Sequence, residues 1–190
     1  MNPADTLSYI VGRRSLRAME PGAKIPQEAV SRMLEAARWA PSCSNTQPWR
    51  FVVVQEPEAF QKALQALKPG NRTWAQHAGA LIVLCANPAD DYEMAGQPAY
   101  LFDCGLAAQN LMLQGVAEGL VMHPMAGWEE EPMRLAIGLP MPYRVVCVIA
   151  AGQTGKLENL PEDLQKREAG ERVRKPLANL VYFDAWPNEG

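Results

Sequence analysis

The sequence is poor in the residues that build metal sites and disulfide frameworks. It has only two histidines and four cysteines in 190 residues, and no two cysteines form a C-x-x-C pair. We therefore expect no zinc or other metal site. Cys85 and Cys147 lie in apolar runs, where a thiol usually packs as a small core residue. Cys43 is the only cysteine placed near candidate chemistry.

The sequence also lacks an excess of basic residues and any long apolar segment. Its formal net charge is −3, and the basic residues form no long run, so nucleic acid is not an expected partner. No stretch reaches the roughly 18 apolar residues of a membrane span. Residues 1–10 have neither the basic start nor the unbroken apolar segment of a signal peptide. These features predict a cytoplasmic protein without a membrane partner.

The remaining composition is ordinary for one globular domain. Apolar residues make up 48% of the chain and charged residues 21%, and no repeat, low-complexity segment or linker divides residues 1–190. Apolar runs predict strands at residues 49–55, 80–86 and 144–151, with a shorter one at 120–123. Apolar residues at helical spacing predict helices at residues 2–11, 26–40, 57–67, 73–78, 99–119 and 129–138. A charged and exposed stretch then leads to a strand-like segment at 177–183.

The predicted helix at residues 99–119 is apolar almost all round, so we expect it to be buried. Asp103, Asn110 and Gln114 form a narrow polar seam along one side of it. The favoured interpretation is that they hydrogen-bond to a packed neighbour or across a subunit interface. A ligand contact near Asp103 is the less favoured alternative.

Two polar segments are candidates for chemistry. The basic segment, residues 13–17, has the sequence R-R-S-L-R. Its arginines repel one another unless they spread into water or surround an anion, and arginine forks beside the Ser15 hydroxyl match a phosphate monoester.

The polar loop, residues 41–48, displays hydroxyls, a carboxamide and amide N–H groups between two prolines. This display suits a planar polar ligand. An ordinary helix-to-strand connection is the alternative interpretation.

Together, R-R-S-x-R and A-P-S-C-S-N-T-Q-P-W resemble the signature of the nitroreductase family of FMN-dependent oxidoreductases. The resemblance covers nearly the whole chain in order and spacing. It implies an α+β fold with a central, mostly antiparallel sheet flanked by helices, in an intertwined homodimer with two FMN molecules at its interface. It also implies that the C-terminal extension, residues 176–190, packs on the partner subunit.

The resemblance implies a set of cofactor-binding residues. Contacts to the FMN phosphate and to the pyrimidine side of the flavin match Arg13, Arg14, Ser15 and Arg17. Contacts made from the other subunit match Pro41, Ser42, Cys43 and Asn45. The family position that contacts the flavin ring corresponds to Asn71. The loop whose backbone N–H groups donate to flavin N5 and O4 corresponds to Pro124, Met125, Ala126 and Gly127. The basic pair that closes over the phosphate corresponds to Arg172 and Arg174.

The chain departs from the family pattern at two positions. Ala126 stands where many members have a glutamate, and Trp74 stands near the place of a frequent lysine. Both changes leave the identity of the substrate open. Trp74, Tyr92 and Trp128, with Met125, lie in segments expected to rim the flavin, so we interpret them as candidate substrate contacts, with ordinary packing as the alternative.

The implied activity needs no catalytic side chain. NADH or NADPH passes hydride to flavin N5, and a nitroaromatic, quinone or similar small acceptor then takes the electrons in a ping-pong sequence. One alternative is a non-enzymatic FMN-binding or redox-sensing protein. Another is a relative that fragments flavin or removes halogens reductively, although residues 87–98 form a short loop for the lid that such relatives usually need.

Overall fold

The fold is built around one four-stranded sheet. The structure is a computed structural model that describes residues 6–90 and 92–187. In chain order the strands are β1 (Trp49–Val54), β2 (Ala80–Ala86), β3 (Glu93–Met94), β4 (Gln97–Pro98), β5 (Leu120–Met125) and β6 (Arg144–Gln153). The sheet order is β1-β2-β6-β5 with every neighbouring pair antiparallel, while β3 and β4 form a separate hairpin. The predicted central antiparallel sheet is confirmed.

Helices flank this sheet on both faces. In chain order they are α1 (Ser8–Gly12), α2 (Gln27–Arg38), α3 (Pro57–Gln65), α4 (Pro69–Ala75), α5 (Tyr100–Ala117), α6 (Glu130–Ile137) and α7 (Glu162–Ala169). One buried cluster joins α2 and α5 to one face of the sheet, and a second joins α3, α4, α6 and α7 to the other. The helix start predicted at residues 2–5 lies outside the described residues. Within the described ranges, no helix is long and apolar enough to cross a membrane.

Burial of the central elements agrees with their sequence patterns. Every residue of β2 is buried, because helices cover both faces of this inner strand. The long helix α5 is buried along much of its length, but Leu101 and Phe102 near its start are exposed. The expectation of a helix buried all round is therefore wrong for its first turn in a single chain.

Two boundaries differ from those predicted. β5 continues beyond His123, so Pro124 and Met125 belong to a strand rather than to a loop. Proline is tolerated there because β5 is an edge strand and has a neighbour on one side only. α4 begins at Pro69 rather than at Thr73, because proline suits the first turn of a helix.

The C-terminal part differs more strongly. Residues 177–183 form no strand: Leu177–Asn179 make a single 3₁₀ turn, and the Phe183 side chain is 85% exposed. An apolar segment becomes a strand only beside another strand edge, and among the described residues no strand pairs with it. The charged stretch before it contains α7, which the sequence analysis does not predict.

The chain that follows the basic segment docks against the end of β6. Met19 forms a bridge with Thr154, the Gly155 amide donates to the Ala18 carbonyl at 3.0 Å, and the Glu20 amide donates to the Gln153 carbonyl at 3.0 Å. A Cβ at Gly155 would lie 2.3 Å from the Met19 carbonyl carbon and oxygen. Glycine at this position therefore permits the close approach that positions the basic segment.

His123, on β5, also supports the basic segment. Its Nδ1 donates to the Leu16 carbonyl at 3.0 Å, which requires the proton on Nδ1. Its ring packs against that of Trp74, tilted by 44° with 4.4 Å between centroids. Burial lowers the pKa of His123 below its ordinary value, and the Arg17 charge adds to this, whereas the Leu16 carbonyl and Glu168 act in the opposite direction. The folded protein therefore favours a neutral imidazole.

Gly155→Ala should destabilise the protein by about 2–4 kcal/mol, because the new methyl group meets main chain that cannot rotate away. Gly70→Ala is the matched control, since a Cβ there meets no atom within 4 Å and should change stability by less than about 1 kcal/mol. Urea unfolding monitored by circular dichroism measures both. Equal stabilities for the two variants would contradict the close approach.

Acidification should destabilise the protein through His123. Because its folded pKa lies below the unfolded value of 6.5, this contribution is fully present above pH 6.5 and is lost as the pH falls through 6.5 towards the folded pKa. Urea midpoints at about pH 7.5 and pH 5.5 should therefore fall more for the wild type than for His123→Gln. An identical fall in both proteins would show that His123 is not the group responsible.

Candidate functional site

Five residues from the two ends of the chain line one basic pocket of about 240 Å³. They are Arg13, Arg14, Ser15, Arg172 and Arg174. The first three follow α1 and the last two follow α7, so the fold brings together segments that are far apart in sequence. None of these lining residues is acidic. Such a concentration of guanidinium groups favours an anion with several oxygens, such as a phosphate monoester.

The charges within the basic pocket act on one another. Burial, and then the charges of Arg172 and Arg174, lower the pKa of Arg13 below its ordinary value. Arg13 Nη1 also donates to the Ser15 hydroxyl at 3.2 Å. A bound anion would remove the repulsion between these guanidinium groups.

Main-chain carbonyls hold two of the pocket arginines in place. Arg14 Nη2 donates to the carbonyls of Glu168 and Gly170, at 3.3 and 3.0 Å, close to the C-terminal end of α7. Arg172 donates to the Val11 carbonyl near the end of α1. Arginine is suited to the C-terminal end of a helix because the last carbonyls lack helical partners.

Arg17 lies beside the basic pocket and has a carboxylate partner. Its Nη1 lies 3.4 Å from Glu168 Oε2, and the side chain of Glu168 is 7% exposed. Glu168 is not among the residues predicted from the sequence, because it lies within a charged stretch. The available signal is the spacing of Leu164 and Glu168, which lie one helical turn apart and are the two buried residues of α7.

The polar loop has a strained backbone. Ser44, Asn45 and Gln47 all have positive φ values, of 49°, 58° and 48°. Among the hydrogen bonds that hold the loop are two of 3.0 Å to side chains, from the Gln47 amide to the Ser42 hydroxyl and from the Cys43 amide to Asp103 Oδ2. Strain of this kind is often found where a loop presents groups to a ligand. Pro41 and Asn45 are exposed, and Ser42 and Cys43 are half-buried.

The polar seam of α5 hydrogen-bonds to packed neighbours within the chain. Asp103, 1% exposed, accepts from the polar loop. Asn110 Nδ2 donates to the Ala36 carbonyl at 3.2 Å, and Gln114 Nε2 donates to Glu118 Oε1 at 2.7 Å. The favoured interpretation is confirmed for Asp103 and Asn110, whereas Gln114 bonds to Glu118 at the end of its own helix. Asp103 supports the polar loop.

Asn71 and Gly127 meet directly. Asn71 Nδ2 donates to the Gly127 carbonyl at 3.2 Å, and a Cβ on Gly127 would lie 2.7 Å from the same nitrogen. The Lys68 amide also donates to the Gly127 carbonyl at 3.0 Å. Asn71 therefore supports the turn after β5. Ala126, in that turn, is exposed.

The candidate substrate contacts occupy different environments. Trp74 is 1% exposed and packs against the tilted ring of His123 inside the core, so its interpretation as a substrate contact is corrected: its indole packs between α4 and the sheet. Met125 is likewise buried in the core. Tyr92 is exposed, and Trp128 is half-buried with its Nε1 3.5 Å from Glu130 Oε2.

The cysteines and histidines do not converge on another site. Among the described residues no group of three or more metal-ligating side chains could hold a metal ion. Burial raises the pKa of the Cys85 thiol to about 12 and that of Cys147 to about 11, so both remain protonated at neutral pH. No hydrogen bond or ion pair among the described residues joins the polar loop to the basic pocket.

Comparison with known proteins gives a consistent result. The model of the nitroreductase family matches residues 10–153, which include the basic segment and the polar loop. YdgI of Bacillus subtilis strain 168, whose name gives a provisional NAD(P)H nitroreductase assignment, is 31% identical over 78% of this chain and 88% of its own. The enone reductase of conjugated linoleic acid (CLA) biosynthesis from Lactiplantibacillus plantarum is 26% identical over 80% and 87%.

A solved structure described as an oxidoreductase containing FMN has a TM-score of 0.87. The two chains are 29% identical, and the match covers all of this chain and 96% of the other. The family match extends over more than half of the sequence and includes both predicted motif segments. The chain therefore belongs to the nitroreductase family.

Proposed function

We propose that this chain is an FMN-dependent oxidoreductase that transfers electrons from NADH or NADPH to a small acceptor, such as a nitroaromatic or a quinone. The observation that supports this most strongly is the basic pocket, in which Arg13, Arg172 and Arg174 crowd around Ser15 without an acidic residue. This donor set suits the phosphate of FMN in both charge and geometry.

The residues of the chain would divide the work of holding FMN. Arg13, Ser15 and Arg174 bind the phosphate, while Arg17 places positive charge at the pyrimidine edge of the ring. The turn at Ala126 and Gly127, supported by Asn71, directs amide N–H groups to the ring. When bound, FMN would supply a ring that can take a hydride from the nicotinamide and pass the electrons on to the acceptor. No side chain of the protein acts as a nucleophile in this scheme.

The site is completed by a second copy of the chain in this proposal. The polar loop has no bond to the basic pocket of its own chain, so it would contact the FMN of the partner. Apolar side chains also remain exposed in the single chain. They include Leu7, Tyr9, Trp39, Leu101, Phe102, Leu177, Leu180, Phe183 and Trp186. Burying such a surface in a homodimer, with residues 176–190 on the partner, would remove it from water.

The acceptor has a second candidate class. The relative from Lactiplantibacillus plantarum is named as an enone reductase, so a conjugated enone is a suitable acceptor to compare with nitroaromatics and quinones. The aromatic rings available for such a substrate are Tyr92 and Trp128, because Trp74 is in the core. An exposed ring and a half-buried ring favour a planar acceptor held by stacking.

Purified protein mixed with excess FMN and desalted should retain flavin, and anaerobic NADH or NADPH should bleach its absorption bands. Arg13→Ala should weaken FMN binding by roughly 10- to 100-fold, because a charge-assisted hydrogen bond to phosphate is lost. The matched control is Arg38→Ala, since Arg38 pairs with Glu35 on the surface of α2. Fluorescence titration measures all three affinities.

Other outcomes of this experiment distinguish the alternatives. Flavin that is retained but not bleached by either nucleotide would indicate a non-enzymatic FMN-binding or redox-sensing protein. Failure of the wild type to retain flavin would contradict the assignment of the basic pocket. Turnover with a nitroaromatic, a quinone and an enone then identifies the class of acceptor.

Light scattering should give a particle of twice the chain mass for the wild type. Removing residues 176–190 should produce monomer and weaken FMN binding, because the apolar contacts with the partner are lost. Leu180→Asp should act in the same direction, whereas Gln165→Ala, on α7, should not. A truncated protein that remains dimeric with full FMN affinity would contradict the role of the C-terminal extension.

A further inference from the structure

Glu168 is an acidic side chain buried beside the basic segment. Its Oε1 accepts from the Ala18 amide at 3.0 Å and from the Arg17 amide, while Oε2 lies 3.4 Å from Arg17 Nη1. A carboxylate that is 7% exposed would be destabilising without such partners. Here one carboxylate contacts both the main chain and the side chain of Arg17.

Helix α7 places this carboxylate by its amphipathic pattern. Leu164 and Glu168 are buried on one face, while Glu162 and Lys166 form an exposed ion pair on another. The basic segment also donates a hydrogen bond to the helix, from Arg14 to the Glu168 carbonyl. The helix and the segment thus fix each other's positions.

The arginines near the proposed cofactor site differ in their partners. Among the described residues, none of the arginines of the basic pocket forms an ion pair with a carboxylate, whereas Arg17 pairs with Glu168. A guanidinium with an acidic neighbour presents much less net charge to a ligand than an unpaired one. The pocket therefore retains its full positive charge while the charge of Arg17 is partly compensated.

We propose that Glu168 is a positioning residue of the cofactor site that fixes the Arg17 main chain and, by compensating the Arg17 guanidinium, lowers the reduction potential of the bound flavin. This inference depends on the proposed function, in which Arg17 faces the flavin ring. An uncompensated cation there would stabilise the anionic reduced ring more strongly and raise its potential. Glu168 thus acts through Arg17 and does not contact the cofactor.

Two variants distinguish the positioning role of Glu168 from the effect of its negative charge. Glu168→Gln keeps an oxygen that can accept from both amides, and it removes the negative charge together with the second acceptor, which faces Arg17 Nη1. Glu168→Ala removes both the charge and the acceptor. The matched control is Glu118→Gln: Glu118 receives two hydrogen bonds from Arg32, at 2.7 and 2.6 Å, and contacts none of the proposed cofactor residues.

The midpoint potential of bound FMN and its dissociation constant are the main measurements. Glu168→Gln should raise the potential without weakening FMN binding, since the site becomes more positive. Glu168→Ala should weaken binding by roughly tenfold or more, because the basic segment loses its support. Glu118→Gln should change neither quantity. A purely structural role would lower the melting temperature in both Glu168 variants and leave the potential at the wild-type value, which would overturn the proposal.

Amide hydrogen exchange tests the positioning role without reference to FMN. The Arg17 and Ala18 amides should exchange slowly in the wild type and roughly tenfold or more faster in Glu168→Ala. If the wild type fails to bind FMN, the proposed function fails while this exchange difference still decides the positioning role. Unchanged exchange in Glu168→Ala would refute that role even if FMN binds.

Discussion

The site of this protein depends on the docking of residues 16–20 against the rest of the fold. Main-chain hydrogen bonds attach Ala18 and Glu20 to the end of β6, His123 holds the Leu16 carbonyl, and Glu168 holds the amides of Arg17 and Ala18. These contacts come from a strand end, an edge strand and a helix. Without them the arginines of the basic segment would spread into water, as charged side chains in turns usually do. With them, the arginines line a pocket.

Charge is arranged differently on the two sides of the proposed cofactor site. The basic pocket combines arginines from both ends of the chain without a carboxylate, which favours a phosphate. Arg17 has a carboxylate partner, so it presents less net positive charge. In the proposal it therefore adjusts the charge beside the flavin ring and does not bind the phosphate dianion. The chain belongs to the nitroreductase family, and a structurally similar protein is described as containing FMN.

A single chain contains only part of what the proposal requires. The polar loop is held in a strained conformation by Asp103, yet it has no bond to the basic pocket of the same chain. The C-terminal extension has an apolar pattern, but its described part, up to residue 187, pairs with no strand, and Phe183 remains exposed. Both features are explained if the chain pairs with a second copy, because a shared interface would use the loop and bury the apolar side chains.

The strands of the main sheet, the long helix and the two motifs are predictable from the sequence, because apolar runs and residue spacing act locally and their signal is contained in adjacent residues. The same residues indicate the family, whose model matches residues 10–153. The folded structure was needed to show that Trp74 lies in the core, that β5 includes Pro124, and that Glu168 supports Arg17. The physical reason is distance along the chain: Arg17 and Glu168 are 151 residues apart. The burial of a charged residue within a charged stretch can be seen only in the folded structure, where its partners lie beside it.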